Sequence, residues 1–152
     1  MQKVYITLLY NYFMVKKMPK LSIIISSDKL DKLYPAAILA STAAAMDWEA
    51  ELFFTFWGLL ALKKDYEPSE ISLDYAQYKN ALIKAVESGS MPKWKSLIKE
   101  GKEKGKIKVY ACSATMGVLN IKKEDLEDFV DNVLGAASFL SKAKDSQVTL
   151  FI

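Results

Sequence analysis

A chain of 152 residues with a formal net charge of +3 is expected to form one domain, and its 51% hydrophobic and 26% charged residues are typical of a globular protein. Histidine and arginine are absent, all 21 basic residues are lysine, and there is one cysteine. Without histidine, a Ser-His-Asp triad and an imidazole metal site are excluded. One cysteine allows no internal disulfide and argues against zinc, so we predict no metal and no cofactor. The mild charge and the lack of arginine argue against nucleic-acid binding.

Residues 1–20 are predicted to form an N-terminal arm, separate from a single α/β domain at residues 21–152. The apolar run from Val4 to Val15 is too short to cross a bilayer and lacks a small-residue cleavage site. We therefore predict no stable membrane insertion, no signal peptide and a cytoplasmic location. Two interpretations of the arm stay open. It is an extra edge strand or arm that packs on a neighbour, or the biological start is Met18 and the preceding residues are dispensable.

Hydrophobic periodicity predicts an alternation of strands and helices along the rest of the chain. The predicted elements are a strand at 21–26, a helix from about Lys32 to Met46, a strand at 49–57 that ends at Gly58, a short helix at 59–64, a helix at 71–86, a helix from Pro92, a strand at 106–111, a helix from the N-cap Asn120 to Val133, a short strand at 133–135, a helix at 136–144 and a buried strand at 148–152. The start near Lys32 is predicted because Pro35 is tolerated only in a first turn. Four or five parallel strands in three layers follow from this order.

The stretch at about 65–104 is longer than a strand-to-strand crossover requires and is predicted to be a helical insertion. It either covers the sheet as a helical hairpin or serves as a lid or subunit contact. Lysines cluster from Lys93 to Lys108 beside Glu100 and Glu103. This run is interpreted as a solvated face, with attraction of an anionic substrate or an acidic partner as the alternative.

Cys112 follows a predicted strand in which Ile107, Val109 and Ala111 alternate with polar or aromatic residues. Ligands of open α/β sheets bind outside the carboxyl ends of the strands, so a thiol at this place is positioned to react. A helical turn after the strand would favour the thiolate through its free N–H groups. The alternative is an inert cysteine that packs as a small buried hydrophobe.

Three blocks of sequence carry a family resemblance: Asp31-Lys32-Leu33 with the Ala-rich helix up to Met46, Leu52-Phe53-Phe54-Thr55-Phe56-Trp57-Gly58-Leu59, and Val109-Tyr110-Ala111-Cys112-Ser113-Ala114-Thr115-Met116-Gly117 with the segment 121–126. With these blocks the chain resembles the DsrE/DsrF-like sulfur-transfer proteins, particularly a branch labelled peroxiredoxin-like. The resemblance covers residues 21–64 and 106–152. The arm and the lysine-rich helices lie outside it.

The resemblance implies a three-layer α/β/α fold with a mainly parallel five-stranded sheet, and a homo-oligomer that is a trimer or a multiple of one. It also implies a sulfur carrier or sulfurtransferase, in which Cys112 holds sulfane sulfur as a persulfide or thiosulfonate and passes it to a partner protein. Peroxidase chemistry is not predicted, because no Pro-x-x-x-Thr-x-x-Cys stretch, no arginine and no second cysteine are present. A persulfide carrier needs one cysteine, since the exchanged S–S bond is made to an external thiol.

The carboxyl ends of the first two strands are expected to flank Cys112. The candidate substrate-binding residues are Ser26, Ser27, Trp57 and Gly58, together with Thr115 and Met116, which could shield the bound sulfur. Two other hypotheses remain: a non-catalytic oligomeric α/β subunit, or a small-ligand-binding domain. No Gly-x-Gly-x-x-Gly or Walker stretch follows the first strand, which argues against a nucleotide.

Overall fold

The computed structural model of the chain describes residues 18–152, so the interpretations of the N-terminal arm at 1–17 lie outside the described residues. The strands are β1 (Lys20–Ile25), β2 (Glu49–Phe54), β3 (Ile107–Cys112), β4 (Asn132–Leu134) and β5 (Val148–Phe151). The α-helices are α1 (Leu30–Ala45), α2 (Lys79–Glu87), α3 (Trp94–Glu103), α4 (Ser113–Leu119) and α5 (Ala136–Ala143). Shorter 3₁₀ segments span Phe56–Leu62, Leu73–Tyr78 and Lys123–Asp125.

All five strands pair in parallel in one sheet of order β4-β3-β2-β1-β5. In the centre of the sheet, Leu52 of β2 lies beside Ile23 of β1 and Val109 of β3. One face of these strands is apolar throughout, whereas on the other face Ser22, Glu51 and Lys108 lie side by side, next to the apolar or aromatic row of Ile24, Phe53 and Tyr110. The predicted α/β fold with a five-stranded parallel sheet is therefore confirmed.

The first face of the sheet carries the larger core, which packs against α1 and α3. The alanines of α1 let its backbone approach the strands closely, and Ala37 and Ala40 are fully buried. Gly101 of α3 has the same effect, since a Cβ there would lie 2.2 Å from Cδ1 of Ile107 on β3. Within residues 18–152 no helix is long and apolar enough to cross a bilayer.

The second face carries a smaller cluster built from Phe53 of β2, Tyr110 and Cys112 of β3, and Phe139 of α5. The rings of Phe53 and Phe139 stack with centroids 4.6 Å apart. Within residues 18–152, the eight-residue α5 is the only helix that contributes to this cluster, so the described cover is smaller than that of the first face. β5 lies at the edge of the sheet, and Phe151 is 72% exposed. The prediction of a buried last strand is therefore wrong, because among residues 18–152 this strand pairs with β1 alone and most of its side chains are exposed.

Strand β2 ends at Phe54, three residues before the predicted end at Trp57. The chain turns at Phe56, whose φ of 46° lies in the left-handed region, and continues as a 3₁₀ segment. Gly58 lies inside that segment, not at the end of a strand. Its Cα lies against β1, and a Cβ there would be 2.3 Å from the carbonyl oxygen of Ile25. Glycine is required at this position for close backbone packing.

The predicted helix from Asn120 to Val133 is also wrong. The helix begins instead at Ser113, directly after Cys112, and Asn120 is its C-cap with a left-handed φ of 50°. Asparagine tolerates this conformation, and the Ile121 N–H closes the helix end by donating to the Met116 carbonyl at 2.9 Å. The apolar residues at Leu126 and Phe129 are buried from a loop, which gives an apolar pattern without a helix.

Two further boundaries differ from the prediction. Helix α1 begins at Leu30, whose N–H donates to the Glu70 carbonyl at 2.8 Å, and Pro35 therefore lies beyond the first turn. The predicted helix at 71–86 is divided into the 3₁₀ segment Leu73–Tyr78 and helix α2. Tyr78, which the predicted helix would place on its buried face, is exposed at the end of the 3₁₀ segment. The core therefore does not hold this part of the chain as a regular α-helix.

Candidate functional site

Cys112 is the last residue of β3 and the residue before α4. It is a free cysteine, its side chain belongs to the second-face cluster, and it is 5% exposed. The strand fixes its backbone, and the helix that follows directs the first N–H groups of α4 back towards the sulfur. The thiol is therefore held in place at the carboxyl edge of the sheet, where α/β proteins bind their ligands.

Four hydrogen-bond donors surround the sulfur of Cys112. Burial raises the pKa of the Cys112 thiol, but the hydroxyls of Thr115 and Thr55 and the backbone N–H groups of Thr115 and Ala114 lower it by stabilising the thiolate. The donors outweigh burial, and the pKa of Cys112 lies below its ordinary value. A thiolate is the reactive form of cysteine, so this environment favours nucleophilic chemistry.

Thr115 connects the cysteine to the turn after β2. Its Oγ1 accepts a hydrogen bond from the Phe56 N–H at 2.9 Å and lies 3.3 Å from Oγ1 of Thr55. A threonine hydroxyl has one proton to donate. Because Thr115 is the acceptor in its hydrogen bond with the Phe56 N–H, its own hydroxyl proton can be donated to the sulfur or to Thr55. Phe56 is thereby held in its left-handed conformation, which is unfavourable for a bulky residue. Backbone strain of this kind concentrates at functional sites.

A pocket of about 280 Å³ opens beside the sulfur. It is lined by Phe53, Thr55, Phe56, Trp57, Cys112, Ala114, Thr115, Val118, Leu119 and Ala136. Among these lining residues none is charged, and the polar side-chain groups besides the thiol are the hydroxyls of the two threonines and the indole N–H of Trp57. Phe56, Trp57 and Val118 are exposed and form the rim, whereas Phe53 and Cys112 are buried. The site is thus a largely apolar pocket with a thiol of lowered pKa in its wall.

Three of the predicted site residues meet at this pocket: Cys112, Trp57 and Thr115. Met116 is buried in the first-face core instead. The other three candidates lie at the carboxyl end of β1, outside the pocket lining. Ser26 donates to the Ile152 carbonyl at 3.1 Å, Ser27 accepts from the Lys29 N–H at 3.2 Å, and Gly58 packs on Ile25.

Thr55 and Phe56 were missed as site residues because β2 was predicted to continue to Trp57. A shorter strand would have placed Thr55 at the carboxyl end of the neighbour of the cysteine strand, which is a recognisable position for a ligand-binding residue. Val118 and Leu119 were missed because the helix after Cys112 was predicted to start later. No sequence signal connects Ala136 with the site, since it is brought there by the pairing of β3 with β4.

A larger cavity of about 510 Å³ lies away from Cys112, between α1, α2 and α3. Its half-buried lysine, Lys95, forms ion pairs with Glu127 at 2.9 Å and with Glu67 at 3.1 Å. Among residues 18–152, no group of three or more cysteine or carboxylate side chains is arranged to hold a metal ion.

The comparison with known families decides to which protein family the chain belongs. The sequence matches the model of the DsrE/DsrF/DrsH-like family at residues 17–83 and 71–151. The chain belongs to this family. Among curated proteins, this DsrE/DsrF/DrsH-like chain is 30% identical over 156 residues to the sulfur carrier protein DsrE2 of Allochromatium vinosum, which covers 88% of the chain and 98% of the relative. It is also 30% identical over 163 residues to the uncharacterized protein YrkE of Bacillus subtilis, covering 91% of the chain and all of the relative.

A solved structure resembles the DsrE/DsrF/DrsH-like chain as well. It is the protein of unknown function MTH1491 from Methanobacterium thermoautotrophicum, with a TM-score of 0.57 and 13% identity over 88% of this chain and 99% of that one. At this identity the likeness concerns the fold alone. It agrees with the parallel sheet described above.

Proposed function

We propose that the protein is a sulfur carrier in which Cys112 holds sulfane sulfur as a covalent adduct and passes it to a partner protein. The observation that carries the proposal is a buried thiol with a lowered pKa in the wall of a pocket large enough for added atoms. Membership of the DsrE/DsrF/DrsH-like family and the likeness to a sulfur carrier protein support a sulfur-transfer role in general.

The exchange requires no base and no second cysteine in the carrier. In loading, the Cys112 thiolate attacks the outer sulfur of a donor R–S–SH, a new S–S bond forms, and R–S⁻ leaves. In transfer, an acceptor thiolate attacks that outer sulfur, and the Cys112 thiolate leaves. Leaving groups of low pKa leave faster, so the donors around Cys112 favour the transfer step.

Trp57 and Thr115 are proposed to contact the cargo, since both line the pocket. The roles predicted for Ser26, Ser27, Gly58 and Met116 stay predictions without support from the pocket lining.

The partners in this proposal are a sulfur donor or acceptor protein and further copies of the same chain. Phe56, Trp57 and Val118 are exposed around the same pocket and support association, because an exposed group of neighbouring apolar side chains is typical of an interaction site. A homo-oligomer, trimeric or a multiple of it, and a cytoplasmic location complete the proposal. A monomeric mass in light scattering at micromolar concentration would contradict the assembly.

The chemical test is to incubate the reduced protein with sodium polysulfide and to measure its intact mass before and after cyanide treatment. We expect a gain of one sulfur that cyanide removes and that Cys112→Ser does not show. If the wild-type protein gains no sulfur, and its thiol alkylates no faster than free cysteine, the proposal fails. The non-catalytic subunit would then be the better interpretation.

A further inference from the structure

We propose that the Cys112 pocket is selective for a persulfide cargo against a cargo that ends in a sulfonate, such as a protein-bound thiosulfate group. The inference rests on the proposed carrier function and deepens it. The sequence left both kinds of cargo open. The lining of the pocket distinguishes between them.

The first step concerns the polar groups of the pocket. Of its lining side chains, only Thr55 and Thr115 carry hydroxyls, and both are directed to the cysteine sulfur. Thr115 also accepts a hydrogen bond from the Phe56 N–H at 2.9 Å, and its single hydroxyl proton is used for the sulfur or for Thr55, so it has no second proton to donate to a cargo oxygen. Beyond the sulfur, the lining is formed by Phe53, Trp57, Val118 and other apolar residues, and no lysine lines it.

The second step concerns the cargo. An S–S bond of about 2.05 Å separates the outer sulfur from the cysteine sulfur on which the two hydroxyls act, and apart from the Trp57 indole N–H the other lining side chains that it can meet are apolar. A persulfide can keep a proton on that sulfur and stay neutral. A sulfonate is the anion of a strong acid and stays charged at neutral pH, and no lining side chain offers it a cation. Volume does not decide the matter, because about 280 Å³ would hold either group.

The two loading reactions balance in the same way. Polysulfide gives up its terminal sulfur to the thiolate, and the shortened polysulfide leaves with the electron pair of the broken S–S bond. With tetrathionate, the thiolate attacks one of the two central sulfurs, a thiosulfate dianion leaves, and Cys112 carries an –S–SO₃⁻ group. The neutral reagent methyl methanethiosulfonate reacts by the same displacement: the thiolate attacks its S-methyl sulfur, methanesulfinate leaves, and Cys112 carries a methylthio group (–S–CH₃) through a new S–S bond.

Val118 offers a direct way to change the charge of the pocket. It lines the pocket and is 84% exposed, so a lysine there can keep its stem on the rim and its ammonium at the opening. Leu73 is 91% exposed and does not line the pocket. Leu73→Lys therefore adds the same charge elsewhere on the protein and is the matched control.

The experiment measures rate constants of Cys112 modification by tetrathionate and by methyl methanethiosulfonate, using intact mass, and compares their ratio with that of free cysteine. In the wild-type protein we expect a ratio at least about tenfold lower than in free cysteine, since the anion must enter an uncharged pocket. Val118→Lys should raise the ratio at least about threefold through attraction of the anion, and Leu73→Lys should not. Circular dichroism and melting temperature check that both variants fold.

The inference is overturned if the wild-type ratio equals that of free cysteine, or if the two lysine variants change it equally. A parallel incubation with polysulfide separates this result from failure of the carrier function. A cyanide-labile sulfur on Cys112 together with an unselective ratio rejects the selectivity alone. Absence of that sulfur rejects the carrier function, and the selectivity with it.

Discussion

Replacing Thr115 with valine would test the link between the cysteine and the turn after β2. The side chain keeps its size but loses the hydroxyl that bonds to Cys112 and accepts the Phe56 N–H. A hydrogen bond to a charged group contributes about 1.5–3 kcal/mol, so the thiolate population at a pH below the thiol's midpoint should fall about tenfold or more. Thr115 is buried, and the unpaired Phe56 N–H should lower the free energy of unfolding by about 1–3 kcal/mol.

The assay is a pH titration of the thiolate by ultraviolet absorbance, with urea unfolding of the same samples. Thr115→Val should move the titration midpoint to higher pH. Alkylation rates should change less than the thiolate population, because nucleophilicity rises with pKa. The control is Thr115→Ser, which keeps the hydroxyl. It should preserve the midpoint and lose about 0.8 kcal/mol of stability for the missing methyl group. If the valine variant titrates like the wild-type protein, the hydroxyl does not stabilise the thiolate and this account of the site is wrong.

Three further outcomes are expected. Gly58→Ala should lower the free energy of unfolding in urea by about 3 kcal/mol or more, because its Cβ would lie 2.3 Å from the Ile25 carbonyl oxygen. Its control, Gly117→Ala, has open space around its Cβ and should raise the free energy of unfolding by about 0.5–1 kcal/mol. Phe56→Gly should be about 1–2 kcal/mol more stable than Phe56→Ala, since only glycine adopts a φ of 46° without strain; equal stabilities would contradict this. The lowered pKa of Cys112 should contribute stability that is complete above the unfolded-state value of about 8.5 and is lost as pH falls through the folded-state value, a dependence that Cys112→Ser should lack.

The sheet could be predicted from the sequence because its strands are defined by local composition. β1 contains the apolar run Ile23-Ile24-Ile25 and β2 ends in the apolar run Leu52-Phe53-Phe54, and runs without alternation are typical of parallel strands covered on both faces. The buried alanines of α1 form a helix by intrinsic propensity as well as by packing. Where local propensity and tertiary packing agree, the pattern in the sequence is sufficient to place the element.

The boundaries around the site could not be predicted, because contacts distant in sequence decide them. Phe53, Phe54, Phe56 and Trp57 form one aromatic run, and no local signal interrupts it. The chain turns at Phe56 because Thr115, 59 positions later, accepts its N–H and because Gly58 packs on β1. Asn120 suits either end of a helix, and the position of Cys112 at the end of β3 decides that it is the C-cap. Cys112 itself could be identified, since it is the only thiol in the chain and follows a clear strand.

In the proposed carrier, the arrangement at Cys112 would separate two chemical requirements onto two sulfur atoms. The hydroxyls of Thr55 and Thr115 act on the sulfur of the cysteine itself, where charge resides in the empty carrier. The apolar lining acts on the outer sulfur, where charge would reside in a loaded carrier that had lost its proton. In the proposed cycle, loading moves charge away from the donors that stabilise it, and transfer returns it to them. The site therefore stabilises the empty thiolate more than the charged persulfide, and this difference in free energy favours release of sulfur to an acceptor thiol.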